Sequence, residues 1–310
     1  MVVFFVLSGF VISHATSRLT ENLRTFINHR AARILSVSIP ALALCVLIAP
    51  FASNYSLPES GPISQNAIEF TQRIAVNLVF IAQSWNINSL VPFNAPYWSL
   101  NFEVWYYAIF AVMFYTKGRC RLMMVTICVL LAGYKILLLF PVWLMGVAIQ
   151  RKPIQLKEQH AMILFIITGL CGLIFYFFNV SIKIREWAAL QWPLVWPHLN
   201  GANQFIGDSI LGLLVAGNFV AVGAMPSMGK ILLPAKGFIR FFASYTFSIY
   251  LYHFPFAALL WVWMGITSPI PFFTCLFLCI GLLGHITERR VGYVREVLKR
   301  LFSDHQKVIL

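Results

Sequence analysis

Pro96-Tyr97-Trp98-Ser99-Leu100-Asn101-Phe102-Glu103-Val104-Trp105-Tyr106-Tyr107 opens an apolar run that reaches Tyr115. If this run is a membrane helix, Glu103 lies about two turns inside its start, where a carboxylate meets little water. Such a residue costs about 2.5 to 3.5 kcal/mol near a helix centre, so it persists where a partner, a cavity or a function offsets the cost. Helical spacing places Ser99, Tyr106 and Tyr107 on the Glu103 face, and each carries a hydroxyl able to donate to the carboxylate. The expectation is a helix whose polar face looks into a cavity of a helical bundle.

Composition agrees. Of 310 residues, 60% are hydrophobic and 11% charged, against about 45 to 50% and 25% in soluble domains. The fold class expected is all-α, a polytopic transmembrane bundle forming a single domain over residues 1–310. A net charge of +13 raises the question of nucleic acid. Here, however, the basic residues are separated by aliphatic and aromatic blocks and cluster where apolar segments end, which reads as topology and as contact with lipid headgroups. No nucleic-acid partner is expected. The six cysteines include no CxxC pair and lie in or beside apolar runs, so neither a metal site nor a disulfide framework is expected.

Outward from Glu103, the apolar runs divide the chain into about nine crossings. Residues 1–15 form a short apolar segment, 34–52 a span, and 74–83 a re-entrant or interfacial helix too short to cross. The Glu103 helix is followed by a helical hairpin over 122–147. Further spans are expected at 161–178, 205–222, 241–264 and 270–286, with a Trp- and Pro-rich interfacial loop over 179–204 and a basic tail after 286. The polar segment 53–72 is expected to face outward. Of the 23 Lys and Arg, all but Arg73, Lys135, Lys183 and Arg185 fall on one side, which is then cytoplasmic. This puts Glu103 toward the outer half of the bilayer and Arg30 at the inner surface of a plasma membrane.

Several groups can carry chemistry. Arg30 and Arg33, three apart at the inner mouth of a span, can grip a phosphate-rich ligand or simply bind lipid headgroups. His253 lies in Tyr250-Leu251-Tyr252-His253-Phe254-Pro255. The proline removes the amide that would bond the Leu251 carbonyl, leaving a kink and an acceptor near the imidazole. A cavity role and a packing role both fit His253. His285 and Glu288 are spaced to pair or are simply interfacial, Asp208 suits a helix N-terminus, and Ser8-Gly9-Phe10 is a notch for close helix packing. Nucleotide loops, zincin motifs and nucleophile elbows are absent.

Taken in order, four stretches resemble the membrane-bound acyltransferase 3 family. Phe4-Phe5-Val6-Leu7-Ser8-Gly9-Phe10 is similar to its FFvLSGF helix and His29-Arg30-Ala31-Ala32-Arg33-Ile34 to its RRxxRI segment. Trp98-Ser99-Leu100-Asn101-Phe102-Glu103 with Tyr107 is similar to WSLxxExxxY, and residues 244–255 to the late iSYslYLwHfP helix. The resemblance implies transfer of an acyl group, commonly acetyl, from cytoplasmic acyl-CoA to a hydroxyl of a carbohydrate or lipid-linked acceptor at the outer face. It implies no bound cofactor or metal. Arg30 and Arg33 would engage the CoA phosphates, Glu103 and His253 would be catalytic, and Ser8, Trp98, Ser99, Tyr107 and Tyr250 would line the site. The family's usual first helix, with an arginine and the histidine taken as general base, has no counterpart in this sequence, and valines stand where an acidic residue would precede Phe4. An N-terminally shortened piece of a protein with about ten spans is expected, an inactive paralogue being the other possibility. A transporter or flippase is the alternative function, since an intramembrane Glu and a kinked His helix also suit a substrate pathway.

Overall fold

A computed structural model describes residues 1–18, 22–51 and 67–307. Helix makes up 83% of it, with no strand among the described residues. Contacts divide the chain into two compact units, one built from Met1–Glu21, Gln83–Asn88 and Ala108–Lys236, the other from Asn22–Ala82, Ser89–Tyr107 and Gly237–Leu310.

In the first unit, α1 (Val2–Arg18) packs along α6 (Tyr134–Arg151), with α7 (Glu158–Phe177) and α9 (Phe205–Gly223) beside them. The seam is cut by glycines from both helices. A Cβ on Gly9 would strike the carbonyl oxygen of Trp143, and one on Gly146 that of Val6. Two backbones can approach this closely only where side chains are missing, which is how membrane helices gain dispersion energy when lipid removes any hydrophobic drive to associate. Trp143, fully buried, packs edge-on against Phe110 at 5.6 Å. The 122–147 hairpin is present as α5 (Gly118–Ala132) and α6, hinged at Gly133. There φ is +81° and an added Cβ would sit 2.5 Å from the Trp85 amide nitrogen, so both conformation and space demand glycine.

Residues 179–204 are not a plain loop. They hold α8 (Val180–Gln191) and two single 3₁₀ turns, because Val180–Gln191 contains neither Pro nor Gly and closes with Ala, Leu and Gln, all strong helix formers. The prolines act only beyond Gln191. Lys135, expected as an outer charge, is fully buried with its ammonium donating to the Ile87 carbonyl at 2.6 Å.

The second unit is built on α2 (Leu23–Ile48). Its Ile34, Val37, Ala41 and Leu42 pack with Phe247, Leu251 and Tyr252 of α12 (Thr246–Ala258) and with Leu276 and Ile280 of α13 (Pro269–Thr287). The helix starts well before the expected residue 34, since the Asn22 side chain caps the Thr25 amide at 2.9 Å. The arginine-rich stretch is therefore the first three turns of the span itself. The short helix expected at 74–83 is α3 (Ala67–Leu78), and the outer-loop expectation for 53–66 lies outside the described residues. α4 (Trp98–Tyr115) gives residues 98–107 to this unit. The span expected over 241–264 is interrupted: α11 (Lys236–Ala243) ends, α12 restarts at Thr246, and past Pro255 the helix widens into a π turn over Leu259–Trp263. Proline's missing amide is a recognised origin of such irregularity. The basic tail folds as α14 (Val291–Lys307), docked on α2 by the Asn28 side-chain amide donating to the Arg295 carbonyl at 3.4 Å.

Among the described residues, five segments are long and apolar enough to cross a membrane: Leu23–Ile48, Tyr134–Arg151, Glu158–Phe177, Phe205–Gly223 and Pro269–Arg300. α1 and α5 are shorter, and α4 begins with Ser99, Asn101 and Glu103, which dilute its hydropathy. α7 shows what surrounds the protein. Its outward residues include Ile163, Ile166, Ile167, Leu170, Leu173 and Ile174, all at least half exposed, a surface that only lipid tails satisfy.

Candidate functional site

Both polar groupings expected from the sequence fall in the second unit. On α4, Ser99, Glu103 and Tyr107 stand one above another at i, i+4 and i+8. Glu103 is 3% exposed, and the Tyr107 hydroxyl donates to its Oε1. Ser99 pairs instead with Tyr250 of α12, hydroxyl to hydroxyl at 2.6 Å. Tyr250 also donates to the Pro96 carbonyl at 3.1 Å. Tyr106 is fully buried and packs edge-on to Phe102 at 6.4 Å, while Trp98 packs edge-on to Phe102 at 5.1 Å. On the opposite side of α4, Asn101 accepts from the Ala82 amide at 3.2 Å and donates to Asn77 at 3.3 Å. That pair ties the helix start to the chain preceding it, a role the sequence did not signal.

His253 lies one turn beyond Tyr250, the two rings 6.4 Å apart. Its Nδ1 is 3.0 and 2.9 Å from the carbonyls of Ile249 and Tyr250. A carbonyl cannot donate, so Nδ1 carries the proton and Nε2 is left with the lone pair. The acceptor freed by Pro255, expected near the imidazole, is taken by Asn94. This fully buried side chain donates to the Leu251 carbonyl at 2.9 Å. Reach decides this: Nδ1 is satisfied within its own helical turn, so the freed carbonyl is open to a donor from outside the helix.

Arg30 and Arg33 line a cleft of about 310 Å³ with His29 and Ser36 of α2, Ala243, Ser244, Glu288, Val291 and Arg295. The Arg30 guanidinium lies 5.7 Å over the Phe26 ring, which fixes its stem. Glu288 does not pair with His285. Its Oε2 accepts the Ser248 amide at 2.9 Å, occupying one of the open donors at the start of α12. Glu288 was singled out in the sequence but with His285 as its partner, and Arg295 was missed because it sat in a basic tail that topology alone explained. The amphipathic period of 291–307 was the available signal.

α12 touches both groupings. Ser248, held by the cleft's Glu288, and Tyr250, held by Ser99 and Pro96, are separated by about 3 Å of helix rise. Ser8, expected to line the site, lies in the first unit, where its hydroxyl accepts the Trp143 indole N–H at 3.2 Å. Asp208 is buried in the first turn of α9, as a dipole partner would be.

A buried carboxylate on α4 tied through Ser99 to α12, and an arginine cleft whose Glu288 bonds the same α12, fit what the comparisons return: the sequence model described as an acyltransferase domain, acyltransferase 3, matches residues 1–285. The chain belongs to the acyltransferase 3 family. No curated protein and no solved structure matches it. As a member of this family the protein is a membrane acyltransferase, and the four sequence stretches that carried the resemblance lie within the matched residues. Three of them contribute to the two groupings above, and the first forms the glycine seam of α1.

Proposed function

We propose that this acyltransferase moves an acyl group, acetyl being the simplest, from acyl-CoA to a hydroxyl of a carbohydrate or lipid-linked acceptor. Arg30 and Arg33 hold the donor's phosphates on the cytoplasmic side, where the basic residues concentrate. Glu103 serves the acceptor toward the other face of a plasma membrane that the chain crosses about nine times. In the reaction the acceptor oxygen attacks the thioester carbonyl, the carbon–sulfur bond breaks, and the hydroxyl proton leaves for a base while the thiolate departs. Glu103, held by Tyr107, orients the hydroxyl. The bare Nε2 of His253 receives a proton.

The observation that carries this reading is the double contact of α12, which brings a phosphate-type cleft and a buried carboxylate onto one element. Glu103→Gln tests it. Glutamine keeps the shape and an oxygen for Tyr107 but removes the charge, so acyl transfer from labelled acetyl-CoA by membranes should fall about 100-fold or more at unchanged protein abundance. Transfer at the native rate removes Glu103 from the site.

A further inference from the structure

The arginine cleft is larger than its sequence motif. Arg295 enters it from α14, which lies beyond the residues that the family match covers. Its Nε is buried with no hydrogen-bond partner, a costly state for a donor cut off from water, although the residue as a whole is only half-buried. Its backbone carbonyl accepts from Asn28, which directly precedes His29 and Arg30 on α2. The cleft thus gathers three guanidiniums against one carboxylate, and that carboxylate is committed to the Ser248 amide. Like charges packed round one cavity repel, and an unsatisfied donor among them wants an acceptor. A polyanion with several oxygens answers both conditions.

We propose that Arg295 completes a three-arginine phosphate site with Arg30 and Arg33, so that α14 is part of the donor-binding machinery. The inference rests on the acyl-CoA reading above and extends it: the recognised group is a phosphate cluster such as the ribose phosphate and diphosphate of a coenzyme-type donor. Arg33, exposed at the rim, makes the first contact. Arg30, braced on Phe26, and Arg295, anchored through its backbone to α2, close on the ligand from two helices. The same chemistry would take a phospholipid headgroup, and the experiment separates the two.

The full chain is purified into phosphatidylcholine nanodiscs and titrated with acetyl-CoA and with adenosine 3′,5′-bisphosphate. Arg33→Ala and Arg295→Ala should each weaken binding about tenfold or more, as loss of one charge-assisted contact does, with the thermal midpoint little changed. On the native chain, acetyl-CoA should protect Arg295 from phenylglyoxal modification read by mass spectrometry, which decides the matter even if the alanine variant fails to fold. Native affinity in Arg295→Ala, with loss in Arg33→Ala, overturns the role of Arg295 and leaves the donor reading standing. If the native chain binds no acetyl-CoA, and phosphatidylglycerol in the disc protects Arg295 instead, the donor reading fails and the site belongs to a lipid. Absence of protection by either ligand overturns the site itself.

Discussion

The two units are made from the same apolar residues yet differ in what brings their helices closest. In the first, α1 and α6 meet through missing side chains, Gly9 under the Trp143 carbonyl and Gly146 under that of Val6. In the second, helices meet through polar side chains: Tyr250 on Ser99, Glu288 on the Ser248 amide, Asn94 on the Leu251 carbonyl and Tyr252 on Thr287 at 2.9 Å. Lipid gives apolar helices no solvophobic reason to associate, so either close contact or hydrogen bonding must do so. The difference teaches where chemistry can live. The glycine positions of the seam offer no functional group, and its polar pairs, Ser8 with Trp143 and Ser13 with Gln150, are neutral, whereas the contacts of the second unit include a carboxylate that a reaction can use.

The comparison breaks most readily at the seam. Gly146→Val places a branched side chain against the backbone of α1, and neither carbonyl nor amide can move without shifting a whole helix. The cost should exceed about 3 kcal/mol, seen as loss of monodisperse protein on extraction and gel filtration. A variant that accumulates and melts like the native chain would show that the seam does not hold the first unit. The equivalent insult in the second unit should be milder, because its contacts are side-chain contacts that can be lost singly.

How much of this the sequence showed follows the same division. The notch at Ser8-Gly9-Phe10 was legible, but its partner Gly146 was not, since an isolated glycine in an apolar run names no neighbour. Glu103 announced its burial by standing in such a run, and Tyr107 followed from helical period. Tyr250 was named only through the family resemblance, and its pairing with Ser99, 151 residues away, was not legible. Pro255 correctly marked a freed carbonyl near the imidazole, but Asn94, which donates to it from 157 residues away, could not be named from the sequence. Helix limits suffered most where caps and breaks act: Asn22 started α2 early, and the break before Thr246 divided one expected span. Arg30 and Arg33 were found by spacing, whereas Arg295 was hidden by an explanation that already fitted.

Asn94→Ala sharpens the comparison at intermediate size. It strands the Leu251 carbonyl beside the proline kink, in a place where water does not reach, at a cost of about 1 to 3 kcal/mol. The thermal midpoint should drop without loss of the fold, and acyl transfer should drop with it, since Asn94 holds the turn that precedes His253. Full stability in Asn94→Ala would mean that the kink satisfies itself and that polar contacts in this unit are less necessary than the seam in the other.

The smallest effect is expected for Tyr250→Phe, and it discriminates best. Losing the hydroxyl removes the contact to Ser99 and the bond to Pro96, yet the Ser99 hydroxyl lies 3.3 Å from the same carbonyl and can take it over. The stability cost should therefore stay near the lower end of a hydrogen bond, about 0.5 kcal/mol. If Tyr250 serves only packing, the transfer rate will follow that small loss and nothing more. If it aligns α12 with the carboxylate face, kcat should fall several-fold beyond what stability explains while the KM for acetyl-CoA, set in the arginine cleft, holds. A rate that tracks stability alone would make the Ser99–Tyr250 pair the polar counterpart of the glycine seam, a device for bringing helices together, and would leave Glu103 and His253 to carry the chemistry without it.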